Sequence, residues 1–195
     1  MKQIEITTRV IDDMNNVSKR LLQQGFKKIR TSHIDDIYMC SSLEGLTNHN
    51  IANFLKKCVL IRYLDTGTAI FKKLTYKNKI FNNGQTVSEE KINVDINDIE
   101  KAKSLFMALG FEQLVRVKYE CIVYEKDGLE LAFQNVEDLG LLLEYENSKS
   151  FDNADFEIVE KTKKEMLEEI KKYGIATTNE IDVKKAYELI QKRMG

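Results

Sequence analysis

The sequence lacks proline and tryptophan, has only three cysteines and contains no long apolar segment. Cys40, Cys58 and Cys121 do not have the CxxC spacing of zinc and redox motifs, so we expect reduced, structural thiols. No apolar run approaches the roughly 20 residues of a membrane-spanning helix. The first residues alternate between polar and apolar instead of forming a signal peptide. We therefore expect a soluble, cytoplasmic protein with no membrane partner.

Neither sign of charge is in excess, because 30 Lys and Arg face 31 Asp and Glu and leave a net charge of −1. A chain without a global positive field is not expected to bind nucleic acid. The glycine-rich phosphate loops GxxxxGK and GxGxxG are also absent. An anion site in this protein must therefore come from cations that the fold brings together locally.

Short segments in which apolar and polar residues alternate dominate the first three quarters of the chain, and such alternation predicts strands with two different faces. Asp127-Gly128 reads as the tight turn of a hairpin. Helices are expected after Asp12 or Asp13, after Asp98, and at 156–173 and 183–194, and a short helix or a loop is expected at 48–56. This pattern favours an antiparallel α+β domain. The predicted strands are 4–10, 34–40, 58–64, 69–77, 92–96, 115–124, 129–134 and 141–146.

One arrangement of elements occurs twice along the chain. In each copy a strand is followed by an aspartate that can cap a helix, an apolar helix stripe and a Gly-Phe pair. The helices begin at Asp13 and Asp98, and the glycines that end them are Gly25 and Gly110. This predicts a fold made from two pseudo-repeated halves.

Charged residues with even spacing in several strands point to one face of their strand. Such a face has two interpretations, and the residues alone leave both open. Either the face meets water, as in many antiparallel sheets, or the sheet curls so that the charges surround a charged ligand. The cations are Arg9, Arg62, Lys73, Lys77, Arg116 and Lys118, and the carboxylates are Glu5, Glu144 and Glu146.

Seven fragments in order along the chain resemble the CYTH superfamily, which includes class IV adenylyl cyclases and triphosphate tunnel enzymes. The fragment that matches in full is Leu74-Thr75-Tyr76-Lys77. The others are Gln3 to Val10, Asp36-x-Tyr38, Val59 to Arg62, Arg116-x-Lys118, Phe133 to Glu146 and Lys185 to Leu189.

The resemblance implies a single domain, 1–195, with 156–195 as C-terminal helices packed on a barrel. That barrel would be a closed or nearly closed antiparallel eight-stranded triphosphate tunnel with its helices outside. It also implies a metal-dependent phosphohydrolase or adenylyl cyclase acting on a nucleotide, thiamine or inorganic triphosphate, and it is compatible with a homodimer. Arg9, Arg62, Lys73, Lys77, Arg116 and Lys118 would bind phosphate, and Glu5, Glu144 and Glu146 would hold Mg²⁺ or Mn²⁺. No residue is singled out as catalytic.

Several positions depart from the family pattern. Gln3 and Gln134 replace acidic residues, Thr7 replaces a lysine and Leu60 replaces an arginine. In the strand where the family has Arg-x-Glu-x-Glu, the preferred register offers Glu89, Lys91 and Asn93, and Glu90 is available if the register slips. These losses motivate a second hypothesis, a catalytically impaired protein that binds or senses a nucleotide or polyphosphate. A third hypothesis is a structural domain with a merely solvated sheet face.

Overall fold

The computed structural model describes residues 4–82, 85–146 and 156–195, and their side chains except at 77–82, 85–91 and 156. Its helices are α1 (Met14–Gln23), α2 (Ile51–Leu55), α3 (Ile99–Ala108), α4 (Phe156–Lys172) and α5 (Lys185–Met194). Its strands are β1 (Glu5–Arg9), β2 (Lys27–Cys40), β3 (Val59–Asp65), β4 (Ile70–Asn82), β5 (Gln85–Asp95), β6 (Glu112–Lys126), β7 (Leu129–Val136) and β8 (Gly140–Glu146).

The eight strands form one antiparallel sheet in the order β1-β8-β7-β6-β2-β3-β4-β5. Within the described ranges no ladder joins β1 to β5, so hydrogen bonds do not close the sheet. The predicted α+β class with eight antiparallel strands is confirmed. In the part of the chain that is described, no helix has the length and apolar character needed to cross a membrane.

The contacts divide the chain into two compact units. The first unit comprises Met1–Thr31 and Glu120–Lys184, and the second comprises Ser32–Tyr119 and Lys185–Gly195. The prediction of a single domain stays a prediction. The sequence Asn82-Asn83-Gly84 is a turn signal, and its last two residues lie outside the described residues.

The two predicted copies of the strand–helix–glycine arrangement have the same local structure. Asp13 accepts hydrogen bonds from two backbone amides at the start of α1, and Asp98 accepts one at the start of α3. Gly25 and Gly110 follow the two helices with φ of 88° and 86°, which glycine adopts without the steric cost of a side chain. In both copies the next amide donates to the carbonyl five residues earlier, at 3.1 and 2.9 Å. The local repeat is therefore present in the structure.

The core of the first unit packs one face of β1, β7 and β8 against helices. Ile6 of β1, Leu21 of α1 and Ile170 of α4 are fully buried in one cluster that also contains Phe133. Because neighbouring residues in a strand alternate between faces, the two neighbours of Ile6 in β1 point away from this cluster. The helices thus cover the apolar face only.

In the second unit α3 covers one face of the sheet. Ile37 and Met39 of β2 and Ile61 of β3 are buried in a cluster with Phe106 of α3. Alternation then places Asp36, the neighbour of Ile37, on the opposite face of the sheet. We call this opposite face of β2 to β5 the charged face.

The outer edge of β1 is paired with the segment 176–183, which lies between α4 and α5. The amide of Ile11 donates to the carbonyl of Ala176 at 2.8 Å, and the amide of Thr178 donates to the carbonyl of Arg9 at 3.0 Å. Further along, the amide of Val183 donates to the carbonyl of Thr7 at 3.0 Å. This segment satisfies backbone groups that an edge strand would otherwise expose.

Replacing Ile170 by alanine should lower the free energy of unfolding by about 2–5 kcal/mol, because it leaves a cavity in a closely packed cluster. Ile158→Ala on the same helix is the matched control, since this side chain is 50% exposed. Its expected effect is below about 1 kcal/mol. Urea unfolding of the two variants measures the difference, and equal losses would contradict the packing of α4 described above.

Candidate functional site

Four charged residues form a row across β2 to β5 on the charged face. Asp36 lies opposite Arg62, Arg62 lies opposite Lys73, and Lys73 lies opposite Asp95. Residues directly opposite one another in antiparallel strands point to the same face and have neighbouring side chains. The charged row, as we call these four residues, therefore places two cations side by side between two carboxylates.

The strongest interaction in the charged row is the pair formed by Asp36 and Arg62. The Arg62 Nε lies 2.7 Å from Asp36 Oδ1, and its Nη2 lies 2.6 Å from Oδ2. The Asp36 side chain is 3% exposed, whereas that of Arg62 is 39% exposed. The hydrogen bonds that Arg62 donates to Asp36 hold the pKa of Arg62 above its usual range despite its partial burial. The guanidinium is therefore fixed at one edge and open to water elsewhere.

The nearby Tyr38 phenol is not prepared for proton transfer. Burial, and to a smaller extent the charge of Asp36, raises the pKa of Tyr38 well above its usual value. The phenol stays neutral near pH 7, which agrees with the packing role expected for a strand tyrosine.

Lys73 is held more loosely than Arg62. Its Nζ lies 3.9 Å from the Asp95 Oδ1, and the two side chains are 43% and 88% exposed. The same ammonium lies 5.9 Å from the centre of the Phe71 ring. An exposed ion pair of this kind contributes little stability, so Lys73 can exchange partners at small cost.

The next positions along the same face agree with the register expected for β5. The Thr75 hydroxyl lies 2.9 Å from Asn93 Oδ1, and their backbones are directly opposite. Lys77 and Lys91 form the next backbone pair, and Glu89 lies opposite Lys79. The side chains of Lys77, Glu89 and Lys91 lie outside the described set.

Arg116 has a different environment from Arg62. Its Nε and Nη2 lie 2.8 and 2.6 Å from the two carboxylate oxygens of Asp35. Asp35 precedes Asp36 in a regular ladder and therefore points to the face that α3 covers. The structure brings Arg62 and Lys73 together but directs Arg116 to the other face. Lys118, two residues further along β6, is half-buried.

The three predicted carboxylate ligands lie in the first unit on one face of β1 and β8. Glu5 is directly opposite Glu146, and Thr7 is opposite Glu144. Gln134 of β7 is buried, and its Nε2 donates to Glu144 Oε2 at 3.0 Å. The amide at the position of the family's aspartate thus occupies one oxygen of Glu144. Gln3, the other replaced acidic residue, lies outside the described residues.

Arg9 is engaged by the segment that pairs with β1. Its Nε lies 3.0 Å from Glu180 Oε2, and the Thr178 hydroxyl donates to the same oxygen at 3.0 Å. The side chains of Arg9 and Glu180 are 28% and 51% exposed. A phosphate that binds Arg9 through this edge of the guanidinium would have to compete with Glu180.

The donor chemistry of the carboxylates fits Mg²⁺ or Mn²⁺, but they do not form a complete cage. Among the described side chains, no group of three or more His, Cys, Asp or Glu residues is placed to hold a metal ion. Mg²⁺ is often bound by one or two carboxylates together with water and substrate phosphates. The opposed Glu5 and Glu146 fit this second kind of site.

The sequence alone does not identify as site residues the four acidic residues that pair with the predicted cations: Asp35, Asp36, Asp95 and Glu180. Asp36 was noticed only as part of a motif, and Glu180 belongs to no predicted element. Even spacing in β2 could have suggested a carboxylate on the charged face. Nothing local in the sequence could have paired Glu180 with Arg9, because 171 positions separate them.

Comparisons with known proteins extend these observations. No protein-family model matches the chain. It is 33% identical over 180 residues to a Methanocaldococcus jannaschii protein named “Putative adenylate cyclase”, and the match covers 92% of this chain and 93% of that protein.

Solved structures are also similar in fold, and two examples are proteins of Pyrococcus horikoshii and Hippeastrum. The PH1819 protein of Pyrococcus horikoshii gives a TM-score of 0.66 at 20% identity, covering 98% of this chain and 99% of that one. The Hippeastrum protein HpAC1, described as a “putative adenylyl cyclase” with a dominant triphosphatase activity, gives a TM-score of 0.58 at 14% identity. The second match covers 98% of this chain and 96% of that chain.

Replacing Arg62 by methionine should destabilise the protein by about 3 kcal/mol, because the shielded Asp36 carboxylate loses its compensating charge. Urea unfolding of the variant and the unmodified protein at neutral pH measures the loss.

Arg116→Met is the matched control, since the Asp35 side chain is 23% exposed and can be hydrated. Its expected loss of stability is smaller than that of Arg62→Met. An equal loss of stability in Arg116→Met would mean that the burial of Asp36 is not the reason why Arg62 stabilises the protein.

Proposed function

Because the chain belongs to the CYTH superfamily, as its similarity to the Methanocaldococcus jannaschii protein shows, we propose that it binds a triphosphate and hydrolyses it with Mg²⁺ or Mn²⁺. The substrate would be a nucleotide, thiamine triphosphate or inorganic tripolyphosphate. The triphosphatase activity described for the Hippeastrum protein supports this form of the proposal. An adenylyl cyclase, in which a ribose 3′-oxygen attacks the α-phosphorus, is the second form, and it is supported by the name of the Methanocaldococcus protein.

The observation that carries the proposal is the pair of adjacent cations in the charged row. A guanidinium has five N–H groups, and Asp36 accepts from two of those on Arg62. The exposed remainder can donate to phosphate oxygens while Asp36 keeps the group oriented. Lys73, directly opposite Arg62, adds a point charge that its loose pairing with Asp95 leaves available.

These residues would act mainly by binding and by electrostatics. Arg62 and Lys73 would neutralise phosphate oxygens and stabilise the charge that moves toward the leaving group. Because they lie on paired strands, little reorganisation is needed when the substrate binds. Asp36 is a positioning residue in this scheme, since it acts through Arg62.

Glu5 and Glu146, with Glu144 nearby on the same face, would hold the divalent ion. When bound, Mg²⁺ or Mn²⁺ would supply positive charge that polarises a phosphoryl oxygen. Carboxylates suit these hard cations better than the neutral oxygen of a glutamine. Because Gln134 donates a hydrogen bond to one oxygen of Glu144 and offers no carboxylate of its own, we expect a low affinity for the divalent ion.

This hydrogen bond also motivates the second candidate function, a CYTH protein that binds a nucleotide or polyphosphate with little turnover. In that case the charged row would still bind phosphate, but hydrolysis would be slow. Release of phosphate and formation of cyclic nucleotide from ATP, thiamine triphosphate and tripolyphosphate, each with Mg²⁺ and Mn²⁺, separate the candidates. Binding without product would favour the second.

Lys73→Met should weaken tripolyphosphate binding on the order of tenfold, the scale of one charge-assisted contact. Lys77→Met, in the fully matched motif, should act similarly. Lys72→Met is the control, because Lys72 points to the other face and its Nζ donates to the Asn97 carbonyl at 3.0 Å.

Calorimetry gives the affinities, and a rise in melting temperature with millimolar tripolyphosphate provides a second readout. Equal affinity in all three variants and the unmodified protein would mean that the strand cations are only solvated. An unchanged melting temperature with and without metal would argue against both candidate functions.

Gln134→Asp should strengthen the metal site. The substitution replaces an amide donor by a second carboxylate near Glu144, and the two like charges repel each other. In the presence of a chelator the variant should therefore melt at a lower temperature than the unmodified protein. Added Mg²⁺ or Mn²⁺ should raise its melting temperature more than that of the unmodified protein. Gln134→Ala removes the donor without adding charge and serves as the control. A metal response no larger in Gln134→Asp than in Gln134→Ala would count against metal binding beside Glu144.

A further inference from the structure

Two of the three cysteines lie side by side at the end of β2 and the start of β3. Met39 and Val59 are the last opposed pair of this ladder, and the next residues outward are Cys40 and Cys58. Each of the two thiols influences the pKa of the other, as neighbouring groups do. Each is also anchored to a backbone carbonyl, Cys40 at 3.4 Å from Ser42 and Cys58 at 3.2 Å from Phe54.

This arrangement suits a covalent bond between the two sulfurs. Opposed residues in antiparallel strands have Cα atoms about 4.5–5.5 Å apart. Disulfides span Cα distances of about 4.4–6.8 Å, so the backbone need not move far. We propose that Cys40 and Cys58 are a reversible disulfide site, which is formed by exchange with a small-molecule disulfide such as glutathione disulfide.

The exchange balances without any other reactant. One cysteine thiolate attacks a sulfur of glutathione disulfide, forming a mixed disulfide and releasing a glutathione thiolate. The second cysteine thiolate attacks the protein sulfur of the mixed disulfide and releases the second glutathione. Two protein thiols are oxidised, one glutathione disulfide is reduced to two glutathiones, and the thiol protons go to water or to the released thiolates.

The environment of the pair determines when it can react. Both side chains are buried, and burial raises the pKa of Cys40 and raises that of Cys58 to about 12. Few thiolates are therefore present in the folded protein, and exchange there is slow. The disulfide would form while the ends of the strands are open, during folding or local opening, and a reductant would reach it through the same opening.

The bond would join the two ends of the segment 41–57, which contains α2. It would also lie on the charged face, because Cys40, Tyr38 and Asp36 are at alternate positions of β2. On this face, only the opposed pair of Tyr38 and Leu60 lies between the disulfide and the pair of Asp36 and Arg62. Oxidation would therefore fix the strand register next to the charged row.

The test measures an equilibrium, so that slow access to the buried thiols does not matter. Reduced protein is refolded in a glutathione redox buffer, and oxidised protein is equilibrated in the same buffer. Peptide mapping then measures the amount of each disulfide, and equilibrium is reached when the two samples contain the same amounts. The measurement is repeated in urea. We expect Cys40–Cys58 to be the dominant disulfide, with an equilibrium constant on the order of tenfold to a thousandfold higher in folded than in unfolded protein.

By thermodynamic linkage the oxidised protein should melt at a higher temperature, and dithiothreitol should reverse this shift. Bonds from Cys121 to either residue are the internal controls and should not be favoured by folding. An equilibrium constant for Cys40–Cys58 that is no higher in the folded protein than in urea would overturn the proposal. No triphosphate is present, so the outcome is independent of the proposed function.

Discussion

A carboxylate that is shielded from water needs a compensating charge, and in this protein Asp36 imposes that requirement on its surroundings. Arg62 meets it through two short hydrogen bonds, which are available only in the observed register of β2 and β3. A slip by one residue would turn Asp36 toward Phe106 of α3 and expose Ile37 on the charged face. The ion pair and the apolar cluster beneath α3 therefore specify the same alignment.

The cations of this sheet are held by carboxylates of the same chain. Arg62, Arg116 and Arg9 each have an acidic partner from a neighbouring element. This local pairing explains how a chain with 30 basic and 31 acidic side chains can concentrate cations without a global field. It also means that an incoming phosphate exchanges one anion for another at these positions. Selectivity would then depend on the greater charge and the several oxygens of a polyphosphate.

The features that could be predicted from the sequence are those that depend on nearby residues. The Asp98 cap and the Gly110 stop need only the adjacent backbone, and hydrophobic alternation located the strands. The start of β2 at Lys27, instead of Ile34, was missed because its first residues are exposed and show no alternation. The partners of Arg62 and Arg9, 26 and 171 positions away, depend on strand register and chain course. Even spacing identified the cations and motif resemblance gave them a role, but neither assigned a role to the carboxylates that restrain them.

The segment 176–183 has a consequence for shortened forms of the protein. A chain that ended before Ala176 would leave the outer backbone groups of β1 open to any other extended chain, which is the usual origin of intermolecular strand addition and aggregation. A chain that ended after Lys184 would keep this protection while losing only α5. Proteolytic trimming on the two sides of this short stretch should therefore differ in its effect on solubility, even though neither cut removes a residue of the charged row.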